Sequence, residues 1–153
     1  MTQKAKEWSP RFKIKSFGRN DFQAVFQLPS QLWPDKDLDV AALRRVYERG
    51  LRANAQVYLC AIDGENVVGF ASLTIKSNLW QGANLGHIDE LIVDEKYRGR
   101  GLGTQLLEDI IAQARQRGCA RVELDSAFHR TKAHQFYERH GFENPGIPFF
   151  QNR

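Results

Sequence analysis

Cysteine and long apolar runs are scarce in this sequence of 153 residues. The two cysteines, Cys60 and Cys119, each lie inside an apolar segment and lack the spacing of metal ligands. We therefore expect two buried free thiols in a reducing compartment rather than a disulfide. No apolar run has the length of a membrane span, and the N-terminus lacks the apolar centre of a signal peptide. These absences predict a cytoplasmic protein without a membrane partner or a bound metal.

Excess charge is also small. The 22 Lys and Arg residues against 18 Asp and Glu residues give a formal net charge of +4, and the basic residues are spread along the chain. A nucleic-acid-binding protein more often carries a basic stripe with interleaved aromatic residues, so nucleic acid is disfavoured as a partner. An anionic cofactor would use this mild positive charge equally well. The length is that of one domain, predicted over residues 11–153 after a polar tail at residues 1–10.

Hydrophobic periodicity predicts strands alternating with helices, and the turn Asp63-Gly64-Glu65 predicts a hairpin between two of the strands. Asp39 is expected to cap the second helix, Pro29 to close the first and Gly118 to end the longest. The order β-α-α-β-β-β-α-β-α-β predicts an α/β fold in which helices cover a mixed sheet. The predicted strands are 11–17, 57–62, 66–76, 85–94, 121–125 and a last one at Phe149 and Phe150; the helices begin near 22 and 40 and cover 102–116 and 131–140.

A glycine-rich loop joins an apolar strand to the strongest predicted helix. N–H groups at the start of a helix lack intrahelical partners and lie at the positive end of its dipole, and glycines let the backbone approach a bulky anion. This predicts a cradle for a pyrophosphate, the alternative being a loop that only turns the chain. A Walker A loop would need Gly-Lys-Ser/Thr, and a dinucleotide fingerprint needs other glycine spacing. The loop reads Arg98-Gly99-Arg100-Gly101-Leu102-Gly103-Thr104.

Two motifs resemble those of GNAT superfamily N-acetyltransferases. The loop is similar to the family's Arg or Gln, two residues, Gly, one residue, then Gly or Ala. Residues 133–142 are similar to its Ala-x-x-Phe/Leu-Tyr-x-x-x-Gly-Phe segment. The resemblance implies a central mixed, mostly antiparallel sheet flanked by helices, and acetyl transfer from acetyl-coenzyme A to a primary amine. Arg130 is a departure, because many members carry an Asn there that contacts the cofactor arm.

The resemblance also implies which residues hold acetyl-coenzyme A. The loop would bind the pyrophosphate, and backbone N–H groups near the end of the preceding strand would bind the acetyl carbonyl and the pantetheine amides. Tyr137 is implied as the acid that protonates the leaving thiolate, the alternative being a tyrosine of the core. The implied cofactor residues are Leu91, Ile92, Val93, Arg98, Gly99, Arg100, Gly101, Leu102, Gly103, Thr104 and Tyr137.

His87 is the first candidate for the base that deprotonates the amine, because several GNAT enzymes place a His or Glu at this point of the strand. Its unperturbed pKa of about 6.5 also suits that role. Strict alternation along a strand places His87 and Asp89 on one face and Glu90 on the other. Asp89 is the second candidate, as a base or as the group that orients His87. The alternative for His87 is a packed strand histidine, and Glu90 is either structural or near the acceptor.

The acceptor amine is left open by the sequence. The resemblance implies that the loop and helix over residues 32–47 shape the acceptor site, where acidic side chains would attract a cation. A polyamine, an aminoglycoside, an aminoalkylphosphonate or another small amine fits; a macromolecular acceptor and a non-catalytic coenzyme A-binding protein are the alternatives. A homodimer is also left open. The candidate acceptor residues are Trp33, Asp35, Trp80 and Glu90, with Arg130 for an anionic group.

Overall fold

The structure is a computed structural model that describes residues 12–32, 34–126, 130–144 and 146. Its five-stranded sheet has the order β1-β2-β3-β4-β5, with β1 to β4 antiparallel and β5 parallel to β4. The predicted mixed, mostly antiparallel sheet is therefore confirmed. The strands are β1 Lys13–Ser16, β2 Gln56–Asp63, β3 Asn66–Asn78, β4 Ala83–Val93 and β5 Cys119–Leu124; the helices are α1 Phe22–Leu32, α2 Val40–Arg52, α3 Leu102–Gln116 and α4 Thr131–Arg139.

Helix α3 covers one face of the sheet. Its apolar stripe packs against a core that includes Ala71, Leu73 and Ile88. Full burial of a leucine or isoleucine side chain stabilises a fold by roughly 1.5–3 kcal/mol, so this stripe fixes the helix firmly on the sheet. The loop that precedes α3 is thereby held at the end of β4. The buried residues of the stripe are Leu102, Leu106, Leu107, Ile110 and Ala114.

Helices α1 and α2 lie on the other face of the sheet. Val25 of α1 packs with Phe70 of β3 and Ile92 of β4 in a second core. From α2, Tyr47 stacks on Tyr58 of β2 with ring centroids 5.4 Å apart. Asp39 caps α2, as predicted, by accepting a hydrogen bond from the N–H of Ala42.

Some boundaries differ from the prediction. Helix α1 continues to Leu32, so the prediction that Pro29 closes it is wrong. A proline inside a helix costs about 3 kcal/mol. Burial of Val25 and Leu28, at roughly 1.5–3 kcal/mol each, offsets that cost. Strand β5 begins at Cys119, two residues earlier than expected. The tail at 1–10 and the strand at Phe149 and Phe150 lie outside the described residues.

The two cysteines are free thiols, as expected. Cys60 is buried, and burial raises its thiol pKa to about 11. Cys119 is only half-buried, because it begins β5 at the edge of the described sheet. The expectation of burial therefore holds for Cys60 alone. Across the described ranges, no helix is both long and apolar enough to cross a membrane.

Candidate active site

The sheet opens between β4 and β5. Their parallel pairing runs from Asn84 opposite Cys119 to Ile88 opposite Leu124. From Glu90 to Val93, β4 pairs with β3 but not with any other described strand. One edge of this segment therefore carries backbone N–H and C=O groups that face the opening. This is the segment in which the resemblance to GNAT enzymes implied contacts with the acetyl and pantetheine groups.

The glycine loop lies at the end of this opening. Gly99 and Gly101 have φ angles of +77° and +84°, which is the left-handed region that favours glycine. The first intrahelical bond of α3 is donated by the Gln105 N–H to the Gly101 carbonyl at 3.1 Å. The N–H groups before Gln105 therefore point out of the helix start and can bind an anion.

Two arginines of the loop are held by neighbouring groups. Arg98 Nε donates to the carbonyl of Val93 at 3.1 Å, which ties the loop to the end of β4. The guanidinium of Arg100 lies 5.1 Å from the ring centroid of Tyr97. The Tyr97 hydroxyl in turn donates to Asp63 at 2.5 Å. These contacts hold the two arginines of the loop that precedes α3, and a guanidinium can donate two parallel hydrogen bonds to a phosphate.

Helix α4 brings Tyr137 to the same region. A Cβ on Gly103 would lie 3.6 Å from the ring of Phe136 and 3.8 Å from Val93, so α4, the start of α3 and the end of β4 converge. Tyr137 packs edge-on against Phe136, with centroids 5.4 Å apart. Burial raises the pKa of the Tyr137 phenol, and the charge of Arg130 opposes this increase. The phenol is therefore protonated at neutral pH, as a proton donor must be.

A β-bulge reshapes β4 beside the opening. Ser72 lies opposite Glu90 and Leu73 lies opposite Ile88, so Asp89 is an extra residue in β4. Asp89 accepts a hydrogen bond from Thr74 at 2.5 Å, and Glu90 accepts one from Ser72. Because Ser72 and Thr74 share one face of β3, both carboxylates lie on that face. The prediction that Glu90 faces the opposite side is wrong, because the bulge shifts the alternation by one residue.

Two carboxylates flank the His87 ring. Nδ1 lies 2.9 Å from Asp89 Oδ1, and Nε2 lies 3.3 Å from Asp125 Oδ2. The hydrogen bond with Asp89 raises the pKa of His87, the charges of both carboxylates raise it further, and burial acts in the opposite direction. His87 and Asp89 share a face, as predicted. Asp125 was missed, and its only signal was an acidic residue at the end of a predicted neighbouring strand.

Further polar residues surround Glu90. The Glu90 N–H donates to Ser72 Oγ at 3.1 Å, and Ser72 is fully buried. Burial raises the pKa of Glu90, and the hydrogen bond from Ser72 opposes this. Burial also raises the pKa of Tyr58, the charges of Glu90 and Asp89 add to the increase, and Arg49 lowers it. Arg49 on α2 is therefore in electrostatic range of Tyr58. Ser72, Tyr58 and Arg49 carry no functional signal in the sequence, except that Ser72 is a serine within an apolar strand.

The predicted acceptor residues are scattered. Asp35 is exposed in the turn before α2, and Arg130 precedes α4 beside Tyr137. Trp80 is 93% exposed at the turn between β3 and β4. Four residues of strand separate Ala83 from His87, about 13 Å, so Trp80 lies apart from His87. Trp33 lies outside the described residues.

A cavity of about 980 Å³ runs along β5 and α4, and Tyr137 and Asp125 are on its wall, whereas His87 and the glycine loop are not. In the part of the chain that the structure describes, no three His, Cys, Asp or Glu side chains are grouped to hold a metal.

Several characterised proteins are similar to this chain. A glucosamine 6-phosphate N-acetyltransferase of Trypanosoma brucei brucei is 43% identical over 132 residues, 85% of this chain and 88% of that protein. An aminoalkylphosphonate N-acetyltransferase of Salmonella typhimurium is 31% identical over 140 residues, 92% and 90% of the two chains. An aminoglycoside N(6')-acetyltransferase of Stenotrophomonas maltophilia is 32% identical over 127 residues, 80% of each chain.

Solved structures have the same fold. A Trypanosoma brucei acetyltransferase superposes with a TM-score of 0.78 at 28% identity, over 94% of this chain and 100% of that one. The aminoglycoside N-acetyltransferase AAC(6')-Iy in complex with CoA has a TM-score of 0.82 at 20% identity, over 94% and 95% of the two chains. The model of the acetyltransferase (GNAT) family matches residues 19–142. The chain therefore belongs to the GNAT family and is an N-acetyltransferase whose co-substrate is acetyl-coenzyme A.

Proposed function

We propose that this enzyme acetylates the primary amine of a small molecule that also carries a phosphate or phosphonate group. The observation that carries the proposal is that Tyr58 lies in electrostatic range both of an acidic cluster, the carboxylates of Asp89 and Glu90, and of the guanidinium of Arg49. Two of the similar proteins act on such zwitterionic amines, glucosamine 6-phosphate and an aminoalkylphosphonate. A macromolecular acceptor has no comparable support.

The acidic cluster suits the ammonium end of the acceptor. An alkylamine with a pKa near 10.4 is protonated at neutral pH and is attracted to carboxylates. At about 4 Å, one such ion pair contributes about 1 kcal/mol in water and about 4 kcal/mol at the effective dielectric of a protein surface. Asp89 is held for this role by Thr74, which donates to it at 2.5 Å and accepts from Gln56 Nε2 at 2.9 Å.

Arg49 suits the anionic end. Its guanidinium can donate two parallel hydrogen bonds to a phosphate or phosphonate. Arg49 on α2 lowers the pKa of Tyr58, whereas Glu90 and Asp89 on β4 raise it, so charges of both signs lie in electrostatic range of one tyrosine. An acceptor that carries both an amine and a phosphate would use both kinds of charge.

His87 and Tyr137 would transfer the protons. Acetyl-coenzyme A supplies the acetyl group as a thioester. Asp89 Oδ1 accepts the Nδ1–H of neutral His87, which leaves the Nε2 lone pair to take the proton of the ammonium. Asp125 competes for Nε2, but its side chain is 72% exposed and can turn to solvent. As the amine nitrogen bonds to the acetyl carbon and the carbon–sulfur bond breaks, Tyr137 would donate its phenolic proton to the sulfur. The nitrogen would then lose its second proton to the Tyr137 phenolate as the amide forms.

A panel of matched acceptors tests the proposal, with turnover followed by release of the free thiol. We expect kcat/KM for glucosamine 6-phosphate or 2-aminoethylphosphonate to exceed that for glucosamine or ethylamine by about 10- to 100-fold, the range for a charged hydrogen bond. Arg49→Gln should remove most of this preference. Arg45→Gln, on the exposed surface of the same helix, is the control. Equal rates for the members of each pair, or a higher rate with an aminoglycoside, would contradict the proposal.

A further inference from the structure

Ser126 has a buried hydroxyl with no hydrogen-bond partner among the described residues. It follows Leu124 and Asp125 at the end of β5. Buried hydroxyls in folded proteins are nearly always hydrogen-bonded, because an unpaired one has lost its water without compensation. An orphaned hydroxyl in an enzyme therefore indicates a group that binds there and is absent from the free protein.

The position of Ser126 indicates which group that is. The last paired residues of β4 and β5 are Ile88 and Leu124, so Ser126 lies where the sheet opens. It also lies on the wall of the cavity along β5 and α4, together with Tyr137. The glycine loop holds two arginines at the far end of the unpaired segment of β4. A cofactor with its pyrophosphate at the loop and its thioester near Tyr137 must lay its connecting arm along this opening.

We propose that the Ser126 hydroxyl binds an amide of the pantetheine arm of acetyl-coenzyme A. The arm carries two amides, each with one N–H donor and one carbonyl acceptor, and a serine hydroxyl can both donate and accept. One wall of the opening is the unpaired backbone edge of β4, which can bond to the arm directly. Ser126 supplies a polar group from the opposite side, and the bond gives its hydroxyl a partner that the described residues do not provide.

Binding of the cofactor arm by Ser126 and a purely structural role for Ser126 predict different properties for the Ser126→Ala variant. If the hydroxyl is unpaired in the free protein, Ser126→Ala removes an unfavourable buried group, and the Tm of the free protein should stay the same or rise. Coenzyme A should bind about 2- to 10-fold more weakly, the range for one neutral hydrogen bond. Adenosine 3',5'-bisphosphate lacks the arm and should bind Ser126→Ala and wild type equally.

Calorimetric titration of both ligands, with thermal unfolding of the free protein, tests this. Ser126→Thr keeps the hydroxyl and should retain coenzyme A affinity more nearly than Ser126→Ala. Ser77→Ala, at an exposed serine near the end of β3, is the control for a lost hydroxyl elsewhere. The proposal is overturned if coenzyme A affinity is unchanged in Ser126→Ala, or if both ligands weaken equally. A Tm lowered by several degrees would also overturn it, because it would mean that the hydroxyl is already bonded in the free protein.

Discussion

Substitutions at Gly101 and Gly103 should have opposite effects on stability, although both glycines belong to the same motif. Gly101 precedes α3 with a φ of +84°, and a Cβ added there would have no atom within 4 Å. Any cost at Gly101 must therefore come from backbone conformation rather than from a clash. Gly103 lies within the helix without a positive φ, and its added Cβ would make ordinary contacts at 3.6–3.8 Å with Phe136 and Val93.

The expected magnitudes follow from this difference. A left-handed conformation costs a residue with a Cβ about 1–2 kcal/mol. In a domain of this size that is a Tm lower by about 2–8 °C for Gly101→Ala. Alanine in place of glycine inside a helix contributes about 0.5–1 kcal/mol, so Gly103→Ala should raise Tm by about 1–4 °C.

A second pair of substitutions, both at Gly101, separates the effect of charge from the effect of backbone conformation. Asn and Asp both tolerate the left-handed region better than other residues with a Cβ, and they differ by one charge. Repulsion between a carboxylate and a phosphate at about 4 Å costs about 1–4 kcal/mol, so Gly101→Asp should bind coenzyme A about 5- to 1,000-fold more weakly than Gly101→Asn. The difference should shrink as salt is added.

Thermal unfolding and calorimetric titration at two salt concentrations measure these quantities. Equal coenzyme A affinity in Gly101→Asp and Gly101→Asn would refute the assignment of this loop to the pyrophosphate. A Tm of Gly103→Ala below that of Gly101→Ala would refute the conformational reasoning while leaving the assignment intact.

Two further outcomes concern the proton transfers. Tyr137→Phe should bind coenzyme A as wild type does and lower kcat by about 10- to 10⁴-fold, because a positioned acid is lost; a wild-type kcat would make Tyr137 a packing residue only. The pH profile of kcat/KM should fall on the acid side of an inflection above 6.5, because a raised pKa keeps His87 protonated, and unable to accept a proton, up to a higher pH. Asp89→Asn should lower the pH of the inflection more than Asp125→Asn does, since the hydrogen bond with Asp89 is the larger cause of the raised His87 pKa. An inflection that neither variant moves would exclude His87 as the base.

The candidate cofactor loop has a local signal in the sequence. Glycines, arginines and the start of a helix lie within seven residues, and the physical reasons for binding an anion apply to any helix that begins in this way. Contacts between distant strands leave no such signal. Asp125 reaches His87 only because β5 is parallel to β4 in one register, and Arg49 acts on Tyr58 only because α2 crosses β2. Trp80 is a further case, since an aromatic residue in a loop can lie at either end of a hairpin, and this one lies at the turn between β3 and β4.

The bulge at Asp89 is the feature on which the geometry of the proposed catalytic residues most depends, and the sequence indicates it only indirectly. In a regular strand Ile88 and Ile92 would face the same side, yet Ile88 belongs to the core under α3 and Ile92 to the core beside α1. Between them stand two adjacent carboxylates, Asp89 and Glu90. In either regular register, one of those carboxylates would point beneath α3, where an ionised group without a partner is strongly unfavourable. An extra residue removes the conflict, because both apolar residues reach a core and both carboxylates reach the face of His87. Two neighbouring acids between apolar residues of a buried strand thus indicate a bulge, and at this site the bulge is what brings His87, Asp89 and Glu90 together.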